Sequence, residues 1–124
     1  TKEEHPFKGV EALRSLGYPE EMLQAILGHA TYSGVPRESL MAKALFAVDE
    51  LSGFVVAVAL VRPSKKLDDV SVSSVKKKLK EKSFAKGCDR EEIALGAREL
   101  GVDMDEHIQT VIAALQQIAD KLGL

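Results

Sequence analysis

His5, His29 and Asp49 combine residue types that suit a metal ion. Two imidazoles and a carboxylate make a nitrogen and oxygen ligand set for a first-row divalent metal. No short ligand spacing joins them, so the set exists only if separate helical elements deliver the three side chains to one point. The third histidine, His107, follows Asp105 and Glu106 and precedes Ile108, the pattern of a half-exposed helical histidine. Asp49 and Glu50 form an acidic pair inside the apolar run LMAKALFAVDELSGFVVAVALVRP, Leu40 to Pro63. One turn away on a helix stand Leu45, Phe46, Ser52 and Gly53, so the Asp49 carboxylate is expected to leave from a buried face. An unpaired carboxylate there would be costly, which calls for a metal, a cation or a set of donors beside it.

Helical periodicity dominates the chain that must position these residues, and no stretch alternates like a strand between turn signals. A first helix is expected from about Pro6 to Leu16, with Phe7, Val10, Leu13 and Leu16 as its stripe and Gly17 as its stop. Pro19, Glu20 and Glu21 open a second, which buries Met22, Leu23, Ile26 and Leu27 and ends at Gly28. His5 and His29 then flank the two ends of a helical hairpin. HATYSGVP, from His29 to Pro36, reads as a loop into the central helix, which Arg62 and Pro63 close. A polar and mobile connection from Ser64 to Asp69 leads to a short basic helix around Val72 to Lys82. Asp89 is a good N-cap for a helix through Leu100, stopped by Gly101. The last helix starts at Asp103 or Asp105, with Ile108, Val111, Ile112, Leu115, Ile118 and Leu122 as one continuous face to pack across the central helix. The expected fold class is all-α, a compact bundle of about six helices in a single domain spanning residues 1 to 124.

At 124 residues the domain is large enough for a real core. A net charge of -2 gives no push toward nucleic acid or acidic membranes. The longest unbroken apolar run, Phe54 to Val61, falls short of the ~20 residues of a spanning helix, and the single Cys88 suits a reducing compartment, so a soluble, cytoplasmic protein is expected. The chain opens at Thr1 without a methionine and enters at once into charged, helix-starting sequence.

The segments EEHPFKGVEALRSLGYPEEMLQAILGH, ATYSGVP and KALFAVDELSGFVVAVALVRPSKK together resemble the C-terminal part of the HD-domain metal-dependent phosphohydrolases, especially the small HDIG-type proteins, over nearly the whole chain. In that family the metal ligands run as a histidine, an adjacent His-Asp pair, optional further histidines and an aspartate on a later helix. Asp49, in AVDELSG, matches the closing aspartate, and His5 and His29 match the additional histidines of the two-metal members. No His-Asp dipeptide occurs in the chain and no histidine precedes His5. The resemblance therefore implies that those ligands and the family's N-terminal helices lie upstream of Thr1, and that a face left open by them would invite dimerisation. The loop resembles that of the HD-GYP branch but is shorter and lacks its paired histidines, glutamate and full GYP ending, so cyclic-di-nucleotide specificity is not implied.

What the resemblance implies chemically is one or two divalent ions (Mn, Fe, Zn, Ni, Co or Mg) held by His5, His29, Asp49 and the absent ligands. Such ions lower the pKa of a bound water and polarise a phosphoryl oxygen of a small phosphorylated substrate or nucleotide. Lys43 and Arg62 are candidate phosphate contacts, with a plain surface charge as the simpler reading of each. The rival reading is a non-catalytic helical binding or interaction module, a degenerate or truncated HD domain. The lysines from Lys76 to Lys86 read as a solvated helix whose Val75, Leu79 and Phe84 face the core, and with one aromatic among them they supply a poor base-stacking surface. A basic lid over an anionic substrate is the other reading of that segment.

Overall fold

A helix that is apolar all round must be wrapped by other elements, and this decides the architecture. The computed structural model describes residues 1–124. Its central helix, α3 (Leu40–Val61), follows α1 (Phe7–Ser15) and α2 (Glu20–His29) and precedes α4 (Val72–Leu79), α5 (Arg90–Leu100), α6 (Met104–Gln117) and α7 (Ala119–Leu122). Single 3-10 turns lie at Thr31–Ser33 and Leu67–Asp69, and no strand forms. The fold is all-α, with α2, α4, α5 and α6 all packed against α3, and α1 packed on α2. By length and composition alone α3 could cross a membrane, because the helix runs on through Asp49 and Glu50 and is longer than its unbroken apolar run.

Local chemistry sets most boundaries. Ser39 caps α3 by accepting from the Ala42 amide at 3.1 Å, Asp89 caps α5 by accepting from Glu91 and Glu92 at 2.9 and 3.2 Å, and Ser71 and Ser74 form a reciprocal box at the start of α4. Asp103 starts α6. The last apolar face is not continuous: the helix breaks at Ile118, and Ile118 and Leu122 are exposed. Gly28 does not end α2. It lies inside the helix, where a Cβ would meet Arg37 Cγ at 3.0 Å, and α2 runs on to His29.

The main apolar cluster draws every residue from Leu51 onward. Phe54 is fully buried with the Phe84 ring edge-on at 5.5 Å. The Arg90 guanidinium lies 5.1 Å from the Phe54 ring and donates to the carbonyls of Ala85, Glu81 and Phe84, tying the segment after α4 to α5. The connection before α4 is anchored at Leu67, which is fully buried, donates to the Leu124 carbonyl at 3.1 Å and accepts from Gln116 at 3.2 Å. Helix α5 approaches α3 closely at Gly96, where a Cβ would stand 2.7 Å from Ala47 Cα. His107 is buried, contrary to the half-exposed position its polar neighbours suggest: its Nε2 donates to the Ala47 carbonyl at 2.9 Å. Burial of the imidazole is tolerated because that bond satisfies it.

Candidate metal centre

Helices α1 and α2 form a hairpin whose turn is made by Gly17 at φ +84°, with the Tyr18 amide donating back to Leu13 at 3.2 Å. The start of α1 therefore lies beside the end of α2. His5 sits in the turn leading into α1, its amide donating to Thr1 at 2.9 Å, and Tyr32 from the 3-10 turn donates its hydroxyl to the His5 carbonyl at 2.8 Å. Ser33 fastens the same turn by donating to the Leu27 carbonyl at 2.7 Å. These contacts bring the His5 and His29 Nε2 atoms to 3.1 Å, with the rings edge-on at 80°.

The tautomers follow from the partners. His29 Nδ1 donates to the Ile26 carbonyl, which leaves its Nε2 lone pair turned outward to His5. A backbone carbonyl behind one ring nitrogen is the arrangement that orients an imidazole whose other nitrogen binds a metal. Two nitrogens each about 2.0–2.1 Å from one ion would stand about 2.8–3.0 Å apart at a right angle and about 3.3–3.4 Å apart at the tetrahedral angle. The His5 and His29 spacing of 3.1 Å lies between the two.

Both histidines line a cleft of about 170 Å³ together with Asp49, Glu50 and Glu92. Glu50 Oε2 accepts from the Asp89 amide at 3.2 Å, joining the middle of α3 to the start of α5. Glu92 Oε1 accepts from Thr31 Oγ1 at 3.0 Å, joining α5 to the turn after His29. Asp49 is exposed, not buried as its apolar neighbours suggest. Met41, Leu45, Asp49 and Gly53, spaced four apart, make an open strip that no other helix covers. Its carboxylate thus lies in a solvent-accessible cleft and carries no burial penalty. No group of three or more His, Cys, Asp or Glu side chains is already arranged to hold a metal: the imidazoles converge, and the carboxylates line the cleft without closing on them.

Neither candidate phosphate contact lines this cleft. Lys43, six residues before Asp49 on the same helix, is rotated about 120° from it and faces Glu99, whose carboxyl its charge helps hold down. Arg62 caps the far end of α3, about 20 Å along the axis from Asp49. The lysine-rich helix is likewise elsewhere, with Lys76 paired to Asp105 at 2.8 Å and Val75 fully buried. Burial pushes the Cys88 thiol up, away from a reactive thiolate.

The sequence reading missed Glu92, Thr31 and Tyr32. Glu92 stands three residues after the N-cap Asp89, where an acidic residue has a sufficient local explanation, so nothing in the sequence marked its contact with Thr31 across the fold. No protein-family model matches the chain, and no curated protein or solved structure matches it either.

Proposed function

We propose that this cleft binds a divalent metal ion through His5, His29 and Asp49, and that the chain is the later part of an HD-type metal-dependent phosphohydrolase acting on a small phosphorylated molecule or nucleotide. The observation that carries the reading is the 3.1 Å approach of two imidazole Nε2 atoms, from two different elements, in a cleft that Asp49 also lines. Charge supports it too. The lining holds Asp49, Glu50 and Glu92 and neither lysine nor arginine. Such a cleft repels a phosphate unless a cation is present to reverse the local field. A bound divalent ion supplies a nucleophilic water at neutral pH and positive charge for the phosphoryl oxygens.

The chain's own residues do the positioning. Ile26 fixes the His29 tautomer, Tyr32 holds the backbone of His5, and Asp49 offers an anionic donor from the rigid middle of α3. With Lys43 and Arg62 outside the cleft, the proposal assigns phosphate charge to the ion.

The test is turnover of an aryl phosphate with Mn(II), Co(II), Ni(II) or Zn(II) added to the chelated protein. Metal-dependent hydrolysis that falls at least about a hundredfold in Asp49→Asn and His29→Ala is the expected result. Absence of turnover with every ion, or turnover indifferent to both substitutions, would overturn the enzymatic reading. The exposed strip of Met41, Leu45 and Leu60 favours the second reading, an interaction module that offers α3 to a partner helix. That reading expects association, with no hydrolysis at any ion concentration.

A further inference from the structure

Glu92 differs from the other two carboxylates of the cleft in what holds it. Glu50 spends Oε2 on the Asp89 amide and so serves to join two helices. Asp49 stands on the open strip of α3. Glu92 is half-buried on α5, and Thr31 Oγ1, two residues beyond His29, donates to its Oε1 alone. Glu92 lines the same cleft as the two imidazoles, and a hydroxyl donating to one oxygen of a carboxylate is a way in which proteins orient a metal-binding carboxylate. The alternative role is a tie that pins the turn after His29 to α5. In that role only the acceptor oxygen matters, and the charge does not.

We infer that Glu92 is a further ligand of the ion in this cleft, with Thr31 as its positioning residue. The inference rests on the metal reading above and adds to it a donor from α5, a helix to which that reading assigned no part. It makes the site draw on four parts of the chain: the turn before α1, the end of α2, the middle of α3 and the first turn of α5. Ion binding then clamps the α1 and α2 hairpin onto the α3 and α5 core, and the metal should be lost together with that clamp. No bond is made or broken in the chain by this step. Only a carboxylate already at the cleft wall turns toward the ion.

The experiment is Co(II) binding to the full chain, read by calorimetry and by the visible absorption of the bound ion, with Glu92→Gln, Glu50→Gln and Thr31→Val beside the unsubstituted protein. Glu92→Gln keeps an oxygen for Thr31 to donate to, so a mere tie predicts unchanged affinity. Glu50→Gln removes the same charge from the same cleft and so controls for long-range electrostatics. The inference expects Glu92→Gln to weaken Co(II) about tenfold or more and to alter the spectrum, as loss of a ligand does. Glu50→Gln should weaken it by less than about threefold with the spectrum intact, and Thr31→Val should fall between the two. Binding by the unsubstituted protein with Glu92→Gln indistinguishable from Glu50→Gln would overturn the inference and leave the metal reading standing. No Co(II) binding by the unsubstituted protein would overturn both.

Discussion

The two ends of the molecule are held together differently. From Leu51 onward the chain closes on a continuous apolar cluster built around Phe54, Val55 and Val58, with Leu67, Val75, Ile108 and Ile112 packed in from three other elements. The α1 and α2 hairpin buries Val10, Leu23 and Ala25 but leaves Phe7, Leu16 and Tyr18 exposed. It is fastened to the rest by the packing of α2 on α3, and by polar contacts from Thr31 to Glu92 and from Arg37 to Glu99 and to the Gly28 carbonyl. Both histidines of the cleft belong to the hairpin end, whereas Glu92 and Asp49 belong to α5 and α3. The cleft is therefore a seam between the hairpin and the α3 and α5 core.

Substitutions should separate the two ends by the size of their effects. Phe54→Ala empties the centre of the cluster and should cost about 3–5 kcal/mol of unfolding free energy in urea titrations. Arg37→Ala removes the bonds that tie the Gly28 carbonyl of α2 to Glu99 of α5. Its side chain is 8% exposed, its guanidinium lies 3.6 Å from the Phe46 ring and pairs with Glu99, so the loss should be about 2–3 kcal/mol. Gly96→Ala pushes a methyl toward the Ala47 backbone and should cost about 1–3 kcal/mol by separating α5 from α3. Leu16→Ser, at a side chain 75% exposed, should change stability by less than about 0.5 kcal/mol in the same titration.

The Arg37 pair also predicts a pH response. Arg37 beside Glu99 holds the Glu99 carboxyl below its ordinary value of 4.5. A carboxyl with a depressed folded-state pKa contributes stability that is present above the unfolded value and lost as pH falls through the folded one. Stability should therefore decline below about pH 4.5, and Glu99→Gln should flatten that limb while leaving the neutral-pH slope unchanged, as thermal melts across pH would record.

Local chemistry was legible in the sequence and distant contacts were not. The cap Asp89, the stops at Gly17 and Gly101, and the basic helix with Val75 inward all follow from short-range rules, and each occurs. His5 and His29 could be placed at one end of a hairpin because two antiparallel helices joined by a glycine turn leave little choice. Which side of α3 stays open could not be read, since a helix apolar on every face gives no preferred side, and so Asp49 was assigned to a buried one. His107 was misread for a related reason. Its flanking acids described the surface, while the carbonyl it reaches belongs to Ala47, sixty residues away on α3.

The central claim is that His5 and His29 share a metal ion while His107 serves only packing. Nitrogen spectra of the three imidazoles, recorded as Zn(II) is added to one equivalent, test it directly because the third histidine is an internal control. The account predicts that the Nε2 resonances of His5 and His29 shift together, while His107 keeps its position. Unchanged His5 and His29 signals at saturating Zn(II) would contradict it.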